Sequence, residues 1–384
     1  MKKVAIMSPI ADAIGESATI PRLGIKLSEL GFKVELINCR GEWDHTNKNI
    51  KNLDIIDLNT KKVFPYIPTF RWLSSWTSYR LWSLLMSIAI IIRLPIYLKK
   101  NKPDVLIVRM LTGPTTFAHK ISSSKTKLII SMGGLPRKSP IRTLIWRSLY
   151  SHASELVAPT EGVAKSASII SKIPESKFKI IPNPVVDKEI IKKAEESISH
   201  PWYVDNNIST VLAVGRLTRQ KDFPTLIKAF KNLNIDNTRL IILGEGEDRK
   251  NLENLITTLG INHLVDLPGY EPNPYKYMKN SNVLVMTSKW EGPGHVIIEA
   301  QALGTPIIST DCPSGPRDTL MNGKAGILIN VGDVDQLEKK LRNSIENPNI
   351  FQDLVKNGLE SSKRFTDEDV GKKWKKLIEK LTNI

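Results

Sequence analysis

Short runs of branched aliphatic residues, each followed by a loop and then by apolar positions at helical intervals, recur along nearly the whole chain. This alternation restricts the fold more than any other feature. In the first half the runs are Val4–Met7, Lys33–Ile37, Val105–Val108, Leu128–Ile130, Leu156–Ala158 and Lys179–Ile181. Runs this short and apolar suit strands covered on both faces, and the helical stretches between them supply the cover, so a doubly wound parallel sheet is predicted. The segment Ile181-Pro-Asn-Pro-Val185, with the polar stretch to Asn207, reads as a hinge. A second series then begins with Thr210–Val214, Leu240–Leu243, Val283–Thr287 and Ile307–Thr310, and helices are expected over 223–233 and 248–259. A chain of 384 residues is long enough for two such domains, each with its own core. The expected division is 1–182, 183–365 and a final helix within 366–384. That helix carries Val370, Trp374, Leu377 and Leu381 at helical spacing and is expected to pack back on the first domain.

With 41% apolar and 24% charged residues the composition is that of a globular protein, and a largely disordered chain is excluded. The formal charge of +16 is uneven: residues 1–182 hold 28 Lys+Arg against 12 Asp+Glu, which leaves 27 against 27 for the rest. The surplus in the first domain reads either as a solvated lysine-rich surface or as one that meets anions, namely bilayer headgroups, a diphosphate-linked acceptor or nucleic acid. No nucleic-acid reading motif or zinc spacing accompanies it, so nucleic acid is not an expected partner. The two cysteines, Cys39 and Cys312, do not make a disulfide framework and favour the cytoplasm. The longest apolar run, Leu81–Ile92, falls short of the roughly 20 residues that span a bilayer, so no transmembrane segment is expected. Residues 66–100 set Trp72, Trp76, Tyr79 and Trp82 among Arg71, Arg80, Arg93, Lys99 and Lys100. They form either a core helix with solvated ends or a segment lying on anionic lipid.

The stretch "KWEGPGHVIIEAQALGTPIIS", residues 289–309, places two glutamates eight positions apart across a turn. Glu291 belongs to the loop that ends one strand, and Glu299 stands one to two turns into the next helix. Both can therefore face the crevice where open α/β sheets bind ligands. The amides of Gly294, His295 and Val296 open that helix, where unpaired N–H groups and the dipole favour an anion. A second loop, "VGRLTRQKDF" at 214–223, leaves another buried strand and carries Arg216 and Lys221 after the permissive Gly215. A planar guanidinium and a mobile ammonium beside helix-terminal amides can hold a diphosphate without a metal. Gly244 and Gly246 in "IILGEGEDRKNL" imitate a dinucleotide fingerprint, but its third glycine is missing. Asp333-x-Asp335 spells a metal motif, yet Asp333 is placed to cap a helix. "DCPSGPRD" at 311–318 is either a rigid turn or a wall of the donor pocket.

Together "VGRLTRQKDF", "EGPGHVIIEAQALGTPIIST", "APTEGVAKS" and "IIPNPV" resemble the retaining nucleotide-sugar glycosyltransferases of family 4, most strongly over about 150–345. The resemblance implies the α/β GT-B fold, two Rossmann-like doubly wound domains facing each other across a cleft. It implies that Glu299 accepts hydrogen bonds from ribose hydroxyls, and that Glu291 with Pro293, Gly294, His295 and Val296 holds the donor sugar and phosphates. Arg216 and Lys221 would stabilise the departing diphosphate, while Gly244, Gly269 and Tyr270 would line the nucleoside pocket. No cofactor or metal is expected. The implied reaction moves a hexose or N-acetylhexosamine from a nucleoside-diphosphate sugar, UDP favoured, to a glycan acceptor on a polyprenyl diphosphate. Such an enzyme would build a bacterial surface polysaccharide such as O-antigen. From the aromatics and cations of residues 66–100, peripheral association with anionic lipid of the inner leaflet on the cytoplasmic face is expected. A sugar-nucleotide epimerase of the same fold is the alternative, and it would leave the basic, Trp-rich first domain without a purpose. The sequence departs from the family in two places. The usual paired-glycine loop retains a single Gly15, and Val108–Met110 occupy the region of the usual histidine, with His119 expected inside the following helix. Gly15, Arg109, Gly133, Gly134 and Arg137 are the acceptor-side candidates, with surface or packing roles equally open.

Overall fold

The computed structural model describes residues 1–9, 16–41, 43, 53–64, 76–136 and 140–383, apart from the side chains of 16–18, 76–79, 141 and 142. Gly15, Arg71, Trp72 and Arg137 thus lie outside the described residues, as do the side chains of Trp76 and Tyr79. The chain divides into two units, Met1–Pro184 with Asp367–Ile384, and Val185–Thr366.

The first unit runs β1 (Lys3–Met7), α1 (Glu16–Glu29), β2 (Lys33–Asn38), β3 (Asp54–Asp57), α2 (Trp76–Asn101) and β4 (Val105–Val108). It continues through α3 (Thr112–Ser122), β5 (Lys127–Ser131), α4 (Pro140–Leu149), β6 (Glu155–Ala158), α5 (Glu161–Ser171) and β7 (Phe178–Ile180). Its sheet is parallel in the order β3-β2-β1-β4-β5-β6-β7. Strands such as Val105–Val108 are buried throughout, because helices cover both faces and leave no solvated side to favour alternation. On one face α2 to α5 pack a core that includes Trp82, Met86, Ile90, Leu94 and Tyr150.

The second unit runs α6 (Lys188–Ala194), α7 (Pro201–Val204), β8 (Ser209–Val214), α8 (Phe223–Leu233), β9 (Thr238–Leu243), α9 (Arg249–Thr258) and β10 (Val265–Gly269). Then follow α10 (Pro274–Asn280), β11 (Val283–Met286), α11 (His295–Ala302), β12 (Ile307–Thr310), α12 (Pro316–Thr319), β13 (Ile327–Ile329), α13 (Val334–Glu346) and α14 (Gln352–Ser362). Its parallel sheet has the order β10-β9-β8-β11-β12-β13. The strand order therefore reverses between β8 and β11, as it does between β1 and β4 in the first unit. Loops leaving the two strands at such a switch diverge and open a crevice at their carboxyl ends.

The last helix, α15 (Asp367–Thr382), belongs to the first unit and lies on α1. Trp374 and Ile378 are fully buried among Ile20, Leu23, Leu27 and Val4 on the sheet face opposite α2. Arg22 adds a hydrogen-bonded ion pair to Asp367 at 2.8 Å.

Two expectations need correction. The polar stretch after Pro184 is not a bare hinge, since it forms α6 and α7; Asp187 caps α6 by accepting from the Ile190 amide, and α6 packs on α10. The apolar segment around Leu81 is also longer than its uninterrupted run suggested, and the helix Arg80–Asn101 is by length and composition long and apolar enough to cross a membrane. Arg93 and Pro95 interrupt the run without ending the helix. One face of that helix, Trp82, Met86, Ile90, Leu94 and Leu98, is core of the first unit at 2% exposure or less.

Candidate functional site

The loops leaving β8 and β11 meet at the switch point of the second sheet. From β8 the chain turns through Gly215 and the exposed Arg216 to Lys221, whose stem lies beside Gly215; a Cβ there would stand 3.0 Å from Lys221 Cε. From β11 it passes Ser288 to Glu291. The Lys221 ammonium donates to Glu291 Oε1, closing the gap between the loops. Ser288 Oγ donates to the same oxygen at 2.7 Å. Glu291 is 7% exposed, and a carboxylate so buried requires such partners, because an unpaired charge away from water is costly. The backbone is braced as well: the Lys289 amide donates to the Gln220 carbonyl at 2.8 Å, the Gln220 side-chain amide to the Trp290 carbonyl at 2.8 Å, and Thr287 Oγ1 to the Lys221 carbonyl at 2.9 Å. Lys289 pairs with Asp222 at 3.1 Å.

Glycine makes this crowding possible. Gly244, just past β9, has φ +143°, and a Cβ on it would lie 2.0 Å from the Gly215 carbonyl oxygen. The Gly215 amide donates to the Leu243 carbonyl and the Gly244 amide to the Gly269 carbonyl, so three strand ends carry Gly215, Gly244 and Gly269 side by side. Tyr270 follows at 75% exposure.

After Glu291 the chain passes the buried Pro293, whose carbonyl accepts from Thr319 Oγ1 at 2.7 Å. Gly294, at φ 71°, caps α11, with His295 and Val296 in its first turn and the half-buried Glu299 further along. The helix start thus faces the same end of the sheet as the β8 loop, with its positive dipole end toward the crevice.

The loop after β12 completes this edge. Ser314 Oγ donates to the Glu291 carbonyl at 2.5 Å, and Arg317 pairs with Asp311. Thr310 Oγ1 donates to the Ser288 carbonyl at 2.6 Å. Burial, with the neighbouring Glu291 carboxylate adding to it, pushes the Cys312 thiol up to about 12, so it stays protonated and is unsuited to act as a nucleophile. Ser288 and Thr310 escaped the sequence reading because a lone hydroxyl beside a strand carries no spacing signal. Asp333 accepts from the Gln336 amide at 2.9 Å and caps α13. Among the described residues no group of three or more His, Cys, Asp or Glu side chains could hold a metal ion.

In the first unit Arg109 follows β4 but is 2% exposed. Its guanidinium donates to Ser131 Oγ and Thr19 Oγ1, each at 3.3 Å, and to Asn183 Oδ1 at 2.5 Å. It ties β4 to β5, to α1 and to the end of the unit. Gly133 and Gly134 are half-buried in the loop after β5. His119 lies inside α3, beneath its surface and bonded to His152 and to the Thr126 carbonyl.

A family model described as glycosyl transferases group 1 matches residues 194–361, the part that holds the β8 and β11 loops. A glycosyltransferase of Methanocaldococcus jannaschii, itself uncharacterised, is 31% identical over 327 residues, 73% of this chain and 80% of the relative. An enzyme of Campylobacter jejuni named as an α-N-acetylgalactosaminyltransferase acting on a diphospho-undecaprenol-linked saccharide is 28% identical over 235 residues, 59% of this chain and 62% of its own. Among solved structures, Anabaena HepE in complex with UDP superposes with a TM-score of 0.75 at 16% identity, covering 99% of this chain and all of the other. The chain belongs to the glycosyl transferases group 1 family and is a glycosyltransferase of GT-B fold.

Proposed function

We propose that this glycosyltransferase moves a hexose or N-acetylhexosamine from a UDP-sugar, with retention of anomeric configuration, to a glycan acceptor carried on a polyprenyl diphosphate. The product would be a bacterial surface polysaccharide. The observation that carries the proposal is the Lys221–Glu291 pair between the β8 and β11 loops, beside the start of α11. Cleaving the bond between sugar and nucleoside diphosphate leaves negative charge on the departing oxygen. Lys221, Arg216 and the amides at the head of α11 supply fixed positive charge for it, so that no protein-bound metal is assigned a role. Glu291, held in place by Lys221 and Ser288, orients the sugar. Glu299 takes the ribose hydroxyls, and the ends of β9 and β10 at Gly244, Gly269 and Tyr270 meet the base. The lipid-linked acceptor is supported by the name of the Campylobacter relative and the uridine base by the UDP bound to the Anabaena protein.

A thermal-shift panel of nucleoside diphosphates and their sugars tests this directly. A true donor at a hundredfold over its dissociation constant stabilises by about 2.7 kcal/mol, and Glu299→Ala removes that shift. An undiminished shift in the variant would disprove the ribose assignment. Retention is read separately, from the anomeric proton coupling of the product.

A further inference from the structure

Two neighbouring helices of the first unit carry large exposed apolar side chains. On α2, Leu81, Leu84, Ile88, Ile92 and Ile96 recur at three- and four-residue intervals and are 37–59% exposed, on the side opposite the buried Trp82, Met86, Ile90 and Leu94. Packed beside α2, α3 adds Phe117 and Ile121 at 43% and 50%. Large apolar side chains grouped in this way mark an interaction surface, unlike the scattered exposed leucines of any protein. Near the C-terminal end of α2 lies a surface hollow of about 830 Å³, lined by Lys99, Lys102, Ile121, Lys125 and Lys127 and by one carboxylate, Asp104. The surrounding sequence is one-sided: from Leu58 to Ser154 there are 16 Lys+Arg and a single acidic residue, Asp104.

We propose that this face docks on the surface of an anionic phospholipid bilayer, with the α2 stripe lying in the boundary between headgroups and acyl chains and the lysines of the hollow meeting lipid phosphates. Charge selects this occupant. A symmetric dimer through the stripe would set the same basic surface against itself, whereas an anionic bilayer offers both apolar depth and the opposite charge. The core face of α2 stays in the protein, so the helix lies along the membrane and does not cross it. The proposal deepens the lipid-linked-acceptor reading and rests on it for its purpose, since an enzyme parked on the bilayer meets its acceptor there.

The test is co-sedimentation of the full chain with vesicles of phosphatidylcholine alone and of phosphatidylcholine mixed with phosphatidylglycerol, at low and high salt. The wild type is expected to bind the anionic vesicles and to be weakened by salt. The double variant Leu84→Glu with Ile92→Glu, which puts charge into the apolar face, and separately the triple variant Lys99→Glu, Lys102→Glu and Lys125→Glu, which reverses the attraction to anionic lipid, should each lose at least about tenfold in partitioning. Val204→Glu, 70% exposed on α7, should bind like the wild type. UDP thermal shifts, measured in parallel, should not change in any of them. Equal binding of the Leu84/Ile92 variant, or no binding of the wild type to anionic vesicles, overturns the proposal. So does a concentration-dependent dimer that the same variant dissolves, which would make a second copy the occupant. Loss of the UDP shift in the wild type with vesicle binding intact would instead defeat the donor assignment and leave the membrane face standing.

Discussion

At the residue scale, charged and polar groups in this chain are placed by what burial demands of them. Glu291 was legible as a candidate because its eight-residue spacing to Glu299 crosses a turn. Its partners were not: Lys221 reaches it from 70 residues away through the fold, and Ser288, three residues upstream, is a lone hydroxyl with no spacing signal. Arg109 illustrates the opposite outcome: a cation after a central strand suggests a ligand site, and the fold encloses it with Ser131, Thr19 and Asn183. His119 offers a prediction. Burial holds its pKa below the ordinary 6.5, with the neighbouring His152 acting in the same direction and the Thr126 carbonyl against it. As pH falls below about 6.5 the unfolded chain takes up this proton before the folded one, so stability declines through that window and levels off below the folded pKa. Urea unfolding at pH 7.5 and at pH 5.5 should show a smaller acid loss in His119→Gln than in the wild type. Equal losses would mean that His119 is protonated in the native protein without cost.

The central strands of both sheets could be read directly from their apolar runs, and the Phe223–Leu233 helix has the limits its periodicity predicted. Asp54–Asp57, Val265–Gly269 and Ile327–Ile329 were missed as strands, and all three lie at sheet edges. An edge strand pairs on one side only and needs less apolar sequence, so it tolerates the acidic ends of β3 and the Pro268-Gly269 of β10. Loop-to-loop contact is a further element-scale matter. A Cβ on Gly315 would stand 1.6 Å from the Gly292 carbonyl oxygen, so the β12 loop rests directly on the backbone that carries Glu291. Gly315→Ala must push the two loops apart, and overpacking of this kind costs about 1–3 kcal/mol. A lower melting temperature together with a reduced UDP shift is expected, and a variant unchanged in both would show that the loops move independently.

On the scale of the whole molecule, α15 returns the end of the chain to the unit in which it began. Trp374, fully buried, seals the face of the first sheet that α1 covers only in part. Trp374→Ala should cost about 3–5 kcal/mol through the cavity it opens. The loss should appear in the first unit, seen as faster amide exchange in β1 and α1 while UDP binding persists; exchange confined to α15 would contradict this. The amino-acid sequence by itself determined the architecture and the loops that leave β8 and β11, because strand and helix periods, helix caps and glycine positions are local and each residue declares its preference within a few neighbours. Tertiary structure alone decided which candidate charges are engaged, which strands close the sheets, and that α2 is core on one side and exposed and apolar on the other. Those outcomes depend on what residues distant in sequence bring to the same place, and a linear pattern holds no record of that.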